Sequence, residues 1–302
     1  MLILFGSSPL DERKVDEMYE EEYAAAAKAG FEVGLVNLEQ LIAEQSPARA
    51  VKRLPSASDR EDVLYRGWML TPKDYAMLYE ALLAKNLKLI NRPEEYKHCH
   101  YLPESYAKIQ EYTPKSTWLP IGEVEESEDA VQHAVSAFGQ RPIIVKDYVK
   151  SRKHEWNEAC YIPDASDAER VAEVVRTFVT RQGDDLNEGL VFREFAELEF
   201  LSYHARSGMP LSREMRVFFL KGEPVFVSNY WEAGEDGEFA EVLDSFLDVA
   251  RSVESRFFTM DFAKRKNGGW IIMELGDGQV AGLPDGTEPQ TFYASLRKGM
   301  EK

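Results

Sequence analysis

Two apolar runs, residues 257–263 and 270–275, stand on either side of Asn267-Gly268-Gly269. Glycine reaches the left-handed backbone that tight turns need, so this pattern predicts two antiparallel strands joined by a short connection. The segment reads FFTMDFAKRKNGGWIIMELGDGQVAGLP, and Asp261 and Glu274 each sit among apolar neighbours. Pairing the strands brings the two carboxylates close on one face. The competing reading is that both acids face solvent on a two-sided hairpin.

Upstream, the chain opens as β-α-β. Residues 2–5 form an apolar strand, 11–28 a helix that Gly30 stops, and 31–36 a second strand, which favours a parallel sheet. Residues 44–62 read as an irregular connection and 63–66 as a strand. Thr71-Pro72 starts a helix that runs to about residue 85, with threonine as cap and proline in the first turn. A strand at 87–90 completes a small α/β domain, residues 1–105. The next domain, 106–188, carries helices at 127–138 and 167–181 and the strand 142–149 (PIIVKDYV). The last, 189–302, is mostly antiparallel: a strand at 190–195, a hairpin of 214–220 with 224–230 around Lys221-Gly222, a helix at 239–253 and the 257–275 hairpin.

The chain has 302 residues, of which 44% are hydrophobic and 29% charged, the balance of a globular protein. No apolar run reaches the roughly 20 residues that cross a bilayer. The apolar start has no basic residue before it, which fits a buried strand better than a signal peptide. Two cysteines cannot build a disulfide framework, so a cytoplasmic location is expected. A formal net charge of −17 argues against non-specific binding of nucleic acid while leaving room for one basic nucleotide pocket.

Four further features carry chemistry. Two half-buried carboxylates repel unless a cation lies between them. Magnesium, bound through a few carboxylates plus nucleotide phosphates, meets that need, and Asp277 is a third candidate oxygen ligand. Lys146, in an apolar strand, is placed to neutralise phosphate oxygens, or is an ordinary exposed strand lysine. In VFREF, Glu194 could accept from a ribose or base while backbone groups of the strand read the adenine edge. Arg216 opens an apolar strand where its guanidinium needs an anionic partner; triphosphate oxygens or a structural glutamate would serve. His98 and His100 flank Cys99, but no fourth ligand accompanies them.

The order of these features resembles the ATP-grasp family over about residues 110–280, with the preceding unit similar to that family's N-terminal domain. The resemblance implies an α/β and α+β ATP-grasp fold with ATP and Mg2+ as cofactors. It implies Lys146 on the α and β phosphates and Arg193, Glu194 and Phe195 in the hinge strand beside adenine and ribose. It further implies Glu214 and Arg216 as the E-x-R strand, with Arg216 near the phosphates, and Asp261 and Glu274 as metal ligands. Lys146 and Arg216 are the catalytic candidates. Arg66, Arg193 and Lys153 are candidates for a substrate carboxylate; for Arg66 and Arg193 an ordinary ion pair is the alternative.

Two departures stand out. Glycine replaces the asparagine of the usual E-x-N metal motif, Glu274-Leu275-Gly276 being followed by Asp277. KSRKHEWNEACYIP stands where a glycine-rich phosphate loop is expected. These resemble a divergent clade that includes a eukaryotic assembly factor for a translation-initiation GTPase and bacterial and phage relatives. The implied activity is ligation of a carboxylate to an amine (small molecule, peptide or protein) through an acyl-phosphate. The alternatives are an ATP-stabilised clamp on a protein partner and a ligase of nucleic-acid ends.

Overall fold

The computed structural model describes residues 1–203, 210–231 and 237–301. By compactness the chain forms two units: Met1–Cys99, Leu201–Phe262 and Leu275–Lys302 make the first, His100–Phe200 and Ala263–Glu274 the second. In chain order the strands begin with β1 (Leu2–Gly6), β2 (Glu32–Val36), β3 (Glu61–Arg66) and β4 (Leu87–Leu89). Then come β5 (Ser116–Pro120), β6 (Ile143–Asp147), β7 (Tyr161–Ile162) and β8 (Gly189–Glu194). The rest are β9 (Phe200–Tyr203), β10 (Pro210–Ser212), β11 (Glu214–Leu220), β12 (Glu223–Asn229), β13 (Phe257–Lys264) and β14 (Trp270–Asp277).

In the first unit a four-stranded sheet has the order β2-β1-β3-β4, and every pair is parallel. Alternate residues of a strand face opposite ways. Leu2 and Leu4 of β1 therefore enter one core with Val63 and Tyr65, while Ile3 and Phe5 enter another with Leu64, Phe218 and Phe292. A central strand buried on both faces explains its unbroken apolar run. The helix Pro72–Leu83 starts as expected, with the Thr71 side chain accepting from the Asp74 amide.

The helix expected at 11–28 begins only at Glu20, after a 3-10 turn at Glu17–Tyr19. Val15 is drawn into an isolated bridge with Ser7, and the Asp16 side chain caps that turn. Within the connection expected to be irregular, Pro47–Ala50 forms a helical turn and β3 starts early, at Glu61.

A second sheet has the order β12-β11-β13-β14. The turn between β11 and β12 places Lys221 and Gly222 at φ +53° and +80°, the left-handed pair that matches strand twist. The helix expected at 239–253 is broken into Gly237–Leu243 and Leu247–Ser252 by a 3-10 turn at Asp244–Phe246. There Ser245 Oγ donates to the Val242 carbonyl at 2.6 Å, competing with the helical ladder. The C-terminal helix Pro289–Met300, which was not anticipated, supplies Phe292, Tyr293 and Leu296 to the core.

The second unit holds the sheet β5-β8-β6-β7, antiparallel throughout. Ile143, Val145, Leu190 and Phe192 pack against Val131, Val135, Val171, Val174 and Phe178 of the covering helices. The helix Ala168–Gln182 is capped by Asp167, as its sequence indicates. The opposite face carries the alternate residues, among them Lys146 and Arg193. Lys146 stands opposite Val191, and Ile144 opposite Arg193. The β13–β14 hairpin runs through both units, its base in the first and its tip in the second.

Candidate functional site

In the second unit, Lys146 is buried and its Nζ donates to Glu274 Oε1 at 3.0 Å. Nearly half of the Glu274 side chain reaches solvent, at 48%, so the pair is closed on the lysine side and open on the acid side. Arg193 projects from the same sheet face and is also buried. Its guanidinium donates to the Met273 carbonyl at 2.6 Å, the Ile272 carbonyl at 3.3 Å and Thr113 Oγ1 at 2.6 Å. Burial pushes the Arg193 guanidinium down to about 10, against the opposing pull of the Glu274 charge.

Beside them, Glu194 pairs with Arg141 at 3.1 Å. The amides of Glu194 and Phe195 already donate to the carbonyls of Lys115 and Pro142, so reading a base edge falls to other groups of this segment. The Phe195 ring packs edge-on against Trp156 and Tyr161, which stack on each other with centroids 5.2 Å apart.

After Lys146 the chain turns without glycine. Asp147, fully buried, accepts from the amides of Val149 and Lys150 and from Asn187 and Gln182. A buried carboxylate that collects amides holds the loop in which glycines were expected. The aspartate next to the lysine in PIIVKDYV was the available signal. Lys153 lies exposed in the short turn beyond, at Lys153–Glu155.

In the first unit, Arg216 meets Asp261 through two parallel bonds, Nε to Oδ1 at 2.7 Å and Nη2 to Oδ2 at 2.6 Å. Its remaining nitrogen donates to the Gly282 carbonyl at 2.9 Å, and the guanidinium lies over the Tyr230 ring. An anionic partner of Arg216 within the chain is thus an aspartate on the neighbouring strand β13. Glu214, two residues earlier, accepts from the Ser212 hydroxyl.

Two further site candidates, Arg66 and Asp277, meet partners within the first unit. Arg66 is buried and forms the ion pair weighed as its alternative, donating to Glu22 and to the carbonyls of Gly278 and Ala281. Asp277 is fully buried; Asn91 donates to one of its oxygens, and the amide and side chain of Gln279 to the other. Desolvation raises its carboxyl to about 7, opposed by those hydrogen bonds. Its bonding is that of a structural acid. His98 and His100 lie on the helix Pro93–His100, where two residues advance more than half a turn, so their side chains diverge.

Among the described residues no group of three or more His, Cys, Asp or Glu side chains is arranged to hold a metal. Magnesium needs fewer, one or two carboxylates with the remaining positions filled by phosphate oxygens and water. Within its own unit, Glu274 keeps a second lone pair on the oxygen bonded to Lys146, and so does Asp261 on each oxygen bonded to Arg216.

Residues 137–296, just over half of the chain, match the model of an ATP-grasp domain family, the third family of its clade. The chain belongs to this family. Solved structures similar to this ATP-grasp chain span nearly its whole length. A RimK domain ATP-grasp protein from Sphaerobacter thermophilus shares 14% identity and a TM-score of 0.58, covering 98% of both chains. The ATP-grasp ligase PsnB, in complex with a minimal precursor, Mg and ADP, shares 15% identity and a TM-score of 0.56, over 99% of this chain and 97% of that one. The D-cycloserine synthetase DcsG shares 13% identity and a TM-score of 0.58, over 99% and 100%. At such identities the likeness is one of fold. No curated protein matches the ATP-grasp chain in sequence. No described helix is long and apolar enough to cross a membrane.

Proposed function

We propose that this ATP-grasp protein is an ADP-forming ligase that joins a carboxylate to an amine through an acyl-phosphate, with ATP and Mg2+ as cofactors. The observation that carries the reading is the pair of cation–carboxylate contacts, Lys146 with Glu274 and Arg216 with Asp261. A carboxylate and a triphosphate repel each other, so a site that joins them needs fixed positive charge. A magnesium ion held by Glu274 and Asp261 would offset that charge. Lys146 and Arg216 would bind phosphate oxygens, each released in part from its carboxylate as the metal–nucleotide arrives. The hinge segment Arg193, Glu194 and Phe195 would flank adenine and ribose, with Glu214 alongside. The Trp156–Tyr161–Phe195 group offers an apolar surface for a base. Lys153, in the 106–188 part, would meet a substrate carboxylate. On this reading the chain has three functional parts, residues 1–105, 106–188 and 189–302, and works in the cytoplasm.

The amine and the acid would come from small molecules, peptides or proteins. The PsnB structures carry a precursor peptide, a likeness that puts peptides first among the candidates to be tried. The test is release of ADP and phosphate from ATP and Mg2+, measured with panels of peptides and amino acids. Substrate-coupled ADP is the expected product, and AMP would refute the reading. A second reading, an ATP-stabilised clamp, draws support from the bidentate Arg216–Asp261 pair, in which both acid oxygens already face a cation. Tight ATP binding with no turnover on any substrate would favour that clamp.

A further inference from the structure

A buried guanidinium ordinarily meets a carboxylate, because an uncompensated buried charge is costly. Arg193 instead spends its donors on neutral groups: the carbonyls of Met273 and Ile272 and the hydroxyl of Thr113. Its Nε–H has no partner among the described residues. Thr113 passes its own proton to the Ile272 carbonyl at 2.7 Å, and the Ile272 amide donates to the Tyr112 carbonyl at 2.8 Å. The backbone of Ile272 and Met273 is therefore fastened by Tyr112, Thr113 and Arg193, all within the second unit. The next residue is Glu274, which meets Lys146. Lys146 and Arg193 leave the same face of the sheet, since Val191 lies opposite Lys146 and two residues from Arg193. One cation takes the carboxylate and the other takes the peptide groups behind it.

We infer that Arg193 is a positioning residue, whose guanidinium fixes β14 at Ile272 and Met273 so that the Glu274 carboxylate is held beside Lys146 for the metal–nucleotide. The inference rests on the reading of Glu274 as a metal ligand. It gives Arg193 a role beyond its place in the hinge segment, and it explains a buried cation bonded to main-chain carbonyls. A support behind a ligand limits how far the ligand strays, and losing such supports typically weakens metal binding about 10–100-fold.

The test compares the full chain with Arg193→Met, Glu274→Gln, the double variant and Thr113→Val. Calorimetry with a nonhydrolysable ATP analogue, at varied Mg2+, reads the metal-dependent part of affinity. Arg193→Met and Glu274→Gln are each expected to lower it about tenfold, and the double variant to be no worse than Glu274→Gln alone. Thr113→Val, which keeps the charge, should act in the same direction by less. Hydrogen exchange of the nucleotide-free chain adds a readout without metal: Arg193→Met should speed exchange across residues 271–275 and leave β1 and β3 unchanged. Additive effects in the double variant, unchanged Mg2+ dependence, or exchange rising evenly through the chain would overturn the inference. If Arg193→Met does not fold, Arg193→Lys and Thr113→Val carry the same comparison. If the wild-type chain binds no metal–nucleotide at all, the underlying functional reading fails, and local exchange alone decides whether Arg193 fastens β14.

Discussion

Lys146 and Glu274 meet at 3.0 Å across 128 residues of chain, the lysine closed off and the acid half open to solvent. Such a contact contributes little to folding, because the exposed partner is screened by water. Lys146→Met should therefore leave the unfolding midpoint nearly unchanged. The same substitution should weaken ATP binding by about 10–100-fold, the range set by a charge-assisted bond to phosphate. Calorimetry and thermal unfolding of one variant check both halves, and a stability loss without an affinity loss would sink the assignment.

Arg216 and Asp261 form a different kind of pair, with both side chains largely enclosed. Replacing one member removes two charge-assisted hydrogen bonds from an enclosed charge. Asp261→Ala is expected to cost about 3 kcal/mol of stability. A urea titration without nucleotide reads it.

The glycine at position 276 has a steric reason. A Cβ built there would lie 2.8 Å from Thr259 Oγ1 on the facing strand. Restoring the family's asparagine with Gly276→Asn should cost about 1–3 kcal/mol through overpacking. Pairing it with Thr259→Ala should recover much of that cost. Denaturation midpoints of the single and double variants decide it; equal losses in both would remove the steric explanation.

Asp277 makes stability depend on pH. Its folded carboxyl is raised from 3.8 to about 7 by burial, so the folded chain holds a proton that the unfolded chain has released. The stabilising contribution is complete below the unfolded value and disappears as pH rises through the folded one, between about pH 4 and 7. Asp277→Asn should flatten that part of the stability profile, measured as unfolding midpoint against pH. An unchanged slope would show that Asp277 titrates normally.

Asn91 tests the same buried network from the other side. It donates to Asp277 and to the Phe257 carbonyl, and accepts from the amides of Arg256 and Phe257. Asn91→Ala strands several enclosed polar groups and should cost about 3 kcal/mol or more. A loss below about 1 kcal/mol in urea would mean that water replaces the missing bonds.

What could be read in advance was local. The Thr71 cap, the Lys221-Gly222 turn and the apolar strand at β6 all depend on neighbours within a few residues. The partners of the charged groups do not. Arg193 reaches residues 80 positions away and Asn91 reaches Asp277 at 186, so no spacing rule points to either contact. Arg66 and Asp277 looked like site residues because charge in an apolar segment is a common signal of function. Both bond the loop after β14. The helix Pro289–Met300 was visible in principle, since a proline opens it and Phe292, Tyr293 and Leu296 share one side.

The second unit is assembled from His100–Phe200 and Ala263–Glu274, two stretches separated by sixty-odd residues that belong elsewhere. A gene fragment ending near residue 200 would encode the strands that bear Lys146 and Arg193 but not the short stretch they hold. Excision at that point would leave both cations without their counterparts, and the isolated piece should misfold or aggregate. Any effort to transplant the second unit between relatives has to carry the distant dozen residues with it.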